Sequence, residues 1–304
     1  MKFATSLSIG VVAILAASST AVAAPSSPSS EQLQKRQSGS GYFSPYTNGG
    51  SMLTGGTASG LGEPINVIVS GESDAGVLSQ AGFEEFSRAF YFSPGSCLGI
   101  TQGTPQTANL GDGHGALAQT NLMRWNFKQG DGGTCLQSLN GGNHFRYWVQ
   151  NGTAANSGAI FIAASVEQNA TLNHMIDTDG YDQGRDQLVG NVTAGTLTSP
   201  GGFQYTVTSQ SNTDLLSSVS TSQINHGIAI DGSVSILTVR VTKQGTIGAD
   251  SNTSTSSSSS GGSTSTSQQS SAISHLLTGS DGARRTVALV AGATALSMAV
   301  SLVL

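Results

Sequence analysis

One stretch decides the fold class, INVIVSGESDAGVLSQAGFEEFSRAF (65–90), because its hydrophobic period changes once along its length. INVIVS (65–70) is an apolar, β-branched run that is typical of a strand buried on both faces. After a tight turn, the apolar residues of 74–90, among them Val77 and Phe86, recur near one helical face. The stretch therefore predicts a strand, a turn and a helix.

Outward from this stretch, the chain is richer in strand patterns than in helix patterns. Two short helices are predicted, around 183–190 and near 213–219. Several of the predicted strands follow each other directly, which favours a single α+β domain with a mixed β-sheet and a few helices, spanning 61–245. The further predicted strands are 122–127, 144–150, 158–166, 203–209 and 233–242.

Two features flank or interrupt this plan. Residues 37–60 are rich in Gly and Ser and are predicted to form a flexible arm. Ser73 follows a strand and precedes a helix, as a hydrolase nucleophile does, but the G-x-S-x-G spacing is absent. We therefore predict that Ser73 caps the helix that follows.

The N-terminal segment indicates secretion. Residues 1–23 combine Lys2, a short apolar core and a small-residue cleavage motif, and are predicted to be a signal peptide. Residues 24–36 are polar and end in a Lys-Arg pair typical of fungal dibasic processing, so they are predicted to be a propeptide.

The C-terminal segment indicates a cell-surface anchor. Residues 246–272 are predicted to be a disordered, glycosylated stalk, since 16 of the 21 residues in 251–271 are Ser or Thr. Residues 273–304 end in an uncharged hydrophobic tail, 286–304, which is typical of a glycosylphosphatidylinositol (GPI) attachment signal. A membrane helix formed by this tail is the alternative. The predicted location is the outer side of the plasma membrane or the cell wall.

The net charge of the chain limits the classes of molecule that it is expected to bind. The net charge of −5 leaves no basic patch for nucleic acid or anionic lipid. The expected partners are the cell wall or membrane, through the anchor, and a polysaccharide or small-molecule ligand.

Cys97 and Cys135, the two cysteines, are predicted to form a disulfide that stabilises the domain by about 3–4 kcal/mol. Four N-glycosylation sequons predict exposed loops, at Asn151, Asn169, Asn191 and Asn252.

The densest group of charged residues is LNHMIDTDGYDQGRD (172–186). An EF-hand is rejected, because Met175 would occupy the first ligand position, and an irregular calcium loop stays open. Histidine with carboxylates is also a zinc ligand set and an acid–base set. The sequence thus leaves open one divalent ion, Zn or Ca, or a structural network of paired charges. The metal-ligand candidates are His144, His174, Asp177, Asp179 and His226.

The domain resembles the LssY C-terminal-like domain of secreted fungal proteins over most of residues 60–190. EPINVIVSGESDAGVLSQAGF (63–83) is similar to that family's opening strand, turn and helix. NHFRYW (143–148) is similar to its His-x-Arg-x-Trp strand, and NHMIDTDGYDQGRD (173–186), with the strand GAIFIAAS before it, is similar to its His/Asp/Arg signature. The resemblance implies these motif residues: His144, Arg146, His174, Asp177, Asp179, Arg185 and Asp186.

Two functions from different classes follow. In the first, the chain is a non-catalytic wall or ligand-binding module, and the motif residues stabilise its fold. In the alternative, it is a metal-assisted hydrolase, in which Arg146 or Arg185 holds an anionic group. The motif residues together with His226 are then the catalytic candidates. Whether the protein is an enzyme is left open.

Overall fold

The computed structural model describes residues 41–57, 59–95 and 105–248, which belong to one compact unit. The predicted signal peptide, propeptide, stalk and anchor signal lie outside the described residues, apart from the first residues of the stalk. Within the described ranges, no helix has both the length and the apolar character needed to cross a membrane.

An eight-stranded mixed sheet forms the centre of the domain, in the order β2-β5-β6-β7-β1-β10-β9-β8. Strand β1 runs parallel to β10, whereas the other neighbouring strands are antiparallel. This confirms the predicted α+β class, and every strand predicted from the sequence is present. The strands of this sheet are β1 (Val67–Val69), β2 (Phe92–Pro94), β5 (Asn121–Trp125), β6 (Gly142–Asn151), β7 (Asn156–Glu167), β8 (Leu197–Thr198), β9 (Gln204–Asn212) and β10 (Val234–Lys243); β3 (Thr107–Ala108) and β4 (Leu117–Ala118) pair separately.

The described helices are α1 (Ala75–Leu78), α2 (Gln80–Ala89), α3 (Thr134–Asn140) and α4 (Gly180–Thr193). The helix predicted over 74–90 is therefore divided in two at Ser79, whose side chain accepts the N–H of Gly82 and caps α2.

The helix predicted near 213–219 is wrong, since this segment is a turn. Asn212 Oδ1 accepts the backbone N–H groups of Asp214 and Leu215, both at 3.0 Å. Such side-chain bonds compete with helix formation.

The sheet buries both of its faces. One face packs against α2 and α4 through residues such as Phe83, Phe145 and Leu188. The other face carries Trp148 and Phe161 and is covered by loops. Side chains alternate between the two faces along each strand, so β1 contributes to both and is fully buried, as predicted.

The prediction of a flexible arm is wrong from Gly41 onward. This segment is one of the loops that cover the sheet face that carries Trp148 and Phe161. Tyr42 and Met52 are both 0% exposed, and the Tyr42 ring lies 6.1 Å from the Phe161 ring in an edge-on arrangement. An apolar face without a covering helix must be shielded by another segment, and isolated apolar residues in a Gly/Ser-rich stretch do so here.

Ser73 does not cap a helix, contrary to the prediction. Its Oγ instead accepts the N–H of Val239 at 3.0 Å, and the neighbouring Asp74 Oδ2 accepts the N–H of Val241 at 2.8 Å. The turn after β1 is thereby bonded to β10.

Candidate functional site

Five of the seven motif residues fall into two separate clusters, and the first is centred on Glu167, the last residue of β7. Glu167 is buried, and its Oε1 accepts hydrogen bonds from Gln137 Nε2 at 2.8 Å and Arg124 Nη1 at 3.1 Å. His174 Nδ1 lies 3.3 Å from the same oxygen, and His144 Nδ1 lies 3.6 Å from Oε2. A single carboxylate thus connects the two histidines.

Strand register brings the members of this Glu167 cluster together. Arg124 on β5 is paired with His144 on β6, and His144 is paired with Ser165 on β7. Glu167 lies two residues after Ser165, on the same face of the strand. Glu167 and Arg124 were not among the site residues predicted from the sequence. The sequence signal for Glu167 was a charged residue at the end of an apolar strand. This signal does not identify a site by itself, because the residues that lie beside Glu167 are set by the pairing of the neighbouring strands.

Arg146 extends this cluster towards the loops. Its Nη1 lies 3.1 Å from His144 Nε2 and donates to Glu63 Oε2 at 3.2 Å. Glu63 Oε1 accepts from Gln106 Nε2 at 2.8 Å, and Gln106 Oε1 accepts from Thr54 Oγ1 at 2.7 Å. The charges of the cluster are therefore paired along a continuous chain of hydrogen bonds that ends on a covering loop.

His144 is the most deeply buried titratable residue of the cluster. Burial is the main cause that lowers its pKa to about 4, and Arg146 and Arg124 act in the same direction. A neutral ring that accepts from Arg146 at Nε2 carries its proton on Nδ1. This Nδ1 has no hydrogen-bond partner among the described residues and faces Glu167.

The ionised state of Glu167 is favoured by its surroundings. Burial raises the pKa of this carboxyl, but the hydrogen bond from Gln137 and the positive charge of Arg124 lower it, and the net shift is downward. The cluster therefore places a carboxylate beside a neutral, buried imidazole.

The second cluster is centred on Arg185 in α4, which is buried. Its guanidinium binds Asp231 in a bidentate manner, at 2.6 and 2.8 Å, and its Nε donates to Asp186 at 2.8 Å. Asp182 and the carbonyl oxygen of Ser233 accept further bonds from it. Asp231 was missed by sequence analysis, because it lies 46 residues further along the chain.

The remaining candidates join neither cluster through a polar contact. Asp177 Oδ1 accepts the N–H of Thr178 at 2.9 Å and a bond from Gln168 at 3.3 Å. Asp179 occupies the N-cap position of α4, with a φ of 54° and no side-chain capping bond. His226 lies in a separate 3-10 turn, with a φ of 63°.

The five candidate metal ligands are therefore not gathered at one point. Within the part of the chain that the structure describes, no three His, Cys, Asp or Glu side chains are placed to hold a metal ion. His144 and His174 meet Glu167 from two sides, and the candidate aspartates face elsewhere. The predicted single site is divided by the fold.

The other predicted sites are placed as follows. Cys135 lies in α3, whereas Cys97 and Asn252 lie outside the described residues, so the disulfide stays a prediction. Asn151 is exposed at the end of β6, and Asn169 is partly exposed. Asn191 is also partly exposed but lies in α4, so the expected loop is wrong for this sequon.

Cavities of about 300, 410 and 440 Å³ lie on the described domain, and none of these three is lined by Glu167, His144 or Arg185. No protein-family model, curated protein or solved structure matches this chain. The likeness to the LssY C-terminal-like domain accordingly stays a prediction from the sequence motifs.

Proposed function

We propose that this chain is a secreted, GPI-anchored cell-surface module with an LssY C-terminal-like domain, which binds a ligand without transforming it. The observation that carries this proposal is the internal pairing of the motif residues. The motif residues Arg146 and Arg185, and Glu167, which the motif residues His144 and His174 approach, are each engaged by other side chains of the domain. Groups engaged in this way stabilise a fold and have little capacity left for a substrate.

The exposure of the side chains supports the same conclusion. In the Glu167 cluster, the side chain of His174 is 41% exposed, whereas those of Arg124, His144 and Glu167 are between 2 and 12% exposed. A substrate arriving from solvent would therefore meet His174 first. The carboxylate of Glu167, which could act as an acid or a base, lies buried behind it.

The proposed anchoring rests on the sequence of the two ends. Removing 273–304 is expected to release a folded protein into the medium, because this segment follows the domain and its stalk. Phospholipase treatment of cells carrying the full-length chain is expected to release it as well. A chain that resists the lipase and keeps 286–304, as measured by mass spectrometry, would overturn the GPI proposal in favour of a membrane helix.

The alternative, a metal-assisted hydrolase, is favoured by two contacts of Glu167. His174 and His144 approach the two oxygens of Glu167 from different sides, which joins a half-exposed imidazole to a buried carboxylate. Acid–base chemistry uses such a pair, and a divalent ion bound at this point would supply Lewis-acid chemistry.

A matched pair of variants separates the two functions. His174→Ala removes the exposed histidine of the cluster, and His114→Ala removes another exposed histidine that lies beside a carboxylate, Asp112, at 3.6 Å. We expect the purified secreted chain and both variants to bind neither zinc nor calcium in stoichiometric amounts. One equivalent of metal that His174→Ala loses and His114→Ala retains would replace the proposal by the hydrolase.

A further inference from the structure

A cavity of about 440 Å³ lies where β5 and β6 meet α4, and none of the residues that line it belongs to the Glu167 or the Arg185 cluster. Two aromatic side chains, Trp125 and Phe127, line it on the side of the sheet. Three amide side chains, Asn143, Gln187 and Asn191, and two glycines line the rest of its wall. Its volume lies in the range of small-molecule sites.

The aromatic wall is held in place by its neighbours. The ring of Trp125 is partly buried and meets the rings of Tyr91 and Phe92 edge-on, at 5.7 and 5.6 Å. Gly142 lines the cavity beside Phe127, and a Cβ at this position would lie 4.0 Å from the Phe127 ring. The absence of a side chain at Gly142 keeps this part of the cavity free.

The amide wall contains an unsatisfied acceptor. Asn143 is 4% exposed, and its Nδ2 donates to the carbonyl oxygen of Gly184 at 2.9 Å and to Gln187 Oε1 at 3.4 Å. Its Oδ1 is buried and has no hydrogen-bond partner among the described residues. Gln187 on the same wall is exposed, so its amide is open to a hydrogen-bond donor that a ligand brings into the cavity.

An aromatic face beside several amides suits a pyranose sugar. The C–H face of the sugar packs against an aromatic ring, and its hydroxyl or acetamido groups exchange hydrogen bonds with amide side chains. The wall itself indicates the source of the sugar, because Asn191 is the acceptor residue of an Asn-Val-Thr sequon. A glycan on Asn191 would have its first sugar at the cavity.

We propose that the first N-acetylglucosamine of a glycan on Asn191 packs into this cavity against Trp125. The sugar then covers aromatic surface that is otherwise open to water and supplies donors to the amide wall. This inference rests on the proposed function in one respect, since the chain must pass through the secretory route to acquire a glycan.

Tryptophan quenching provides a direct test, because the chain has two tryptophans and Trp148 is only 2% exposed. Acrylamide quenching in the full secreted chain therefore reports mainly on Trp125. Thr193→Ala abolishes the sequon but leaves Asn191 on the wall, and we expect the quenching constant to rise roughly twofold, since one ring face is uncovered. Thr171→Ala, which abolishes the Asn169 sequon instead, is the matched control and should leave quenching unchanged.

Trimming the glycan to a single sugar with an endoglycosidase is expected to preserve the low quenching constant. In a Trp125→Phe background, Thr193→Ala should no longer change the emission. Equal quenching of Thr193→Ala and wild type, at full Asn191 occupancy by peptide mapping, would overturn this inference alone. A secreted chain with Asn191 unmodified would also overturn it and leave the proposed function standing, whereas a chain that is not secreted would overturn both.

Discussion

His144 Nδ1 lies 3.6 Å from Glu167 Oε2 across the neighbouring strands β6 and β7, while its Nε2 lies 3.1 Å from Arg146. The imidazole is thus held between a carboxylate and a guanidinium in the interior of the domain. Neutral histidine fits this position, because a protonated ring would place a third cation beside Arg124 and Arg146.

The stability of the domain is expected to fall in mild acid because of His144. Its pKa is about 4 in the folded state, below the ordinary value of 6.5, so its contribution is complete above pH 6.5 and is lost as the pH falls towards 4. Between pH 7.5 and 5 we expect a loss of about 2 kcal/mol in the free energy of unfolding, measured by urea denaturation.

His144→Gln should flatten this pH dependence, and His114→Gln, at an exposed position, should not. An unchanged slope in His144→Gln would show that another group is responsible.

Glu167→Gln is expected to destabilise the domain by roughly 3–5 kcal/mol, because the Arg124 side chain, which is only 12% exposed, loses its charged partner. The double variant Glu167→Gln/Arg124→Met should recover part of this loss, since no unpaired charge then remains. Urea denaturation at pH 7.5 measures both. A loss below about 1 kcal/mol for Glu167→Gln would contradict the structural role proposed for this cluster.

In the Arg185 cluster, Asp186 and Asp231 are expected to differ in how much each stabilises the domain. Asp186→Ala should cost no more than about 1 kcal/mol, because its side chain is 67% exposed and its ion pair is screened by water. Asp231→Ala should cost more, since it removes both bonds of a bidentate pair with the buried guanidinium. Thermal melts of the two variants test this order, and equal costs would argue against it.

Tyr42→Ala and Met52→Ala test whether the N-terminal segment belongs to the fold. Each side chain is fully buried on the loop-covered face, so we expect losses of roughly 3–5 and 2–5 kcal/mol in unfolding experiments. Leu172→Ala, at a half-exposed position, is the control and should have little effect. Wild-type stability in both core variants would instead support the flexible arm that the sequence predicts.

The Cys97–Cys135 disulfide is expected in the secreted protein, and non-reducing peptide mapping detects it as one linked peptide pair. An extracellular compartment is oxidising, and a bond between these residues would close a loop of about 40 residues. Two unlinked, alkylated cysteines in the mapped peptides would refute the pairing.

The amino-acid sequence by itself determined the main strands and the fold class. The apolar and aromatic runs at 65–70, 144–150 and 158–166 are local patterns, and their short length and their β-branched or aromatic residues favour strands. It also left open a structural network of paired charges in 172–186, and the ion pairs of Arg185 with Asp182 and Asp186 are of that kind.

Only the tertiary structure decided which charged residues meet. Arg146 pairs with Glu63, 83 residues earlier, and Glu167 meets Arg124 and His144 through the register of three strands. Register and the covering loops are long-range properties, since they depend on the packing of both sheet faces together. For the same reason, the Gly/Ser-rich segment that contains Tyr42 resembles an arm in sequence and is part of the core in the folded domain.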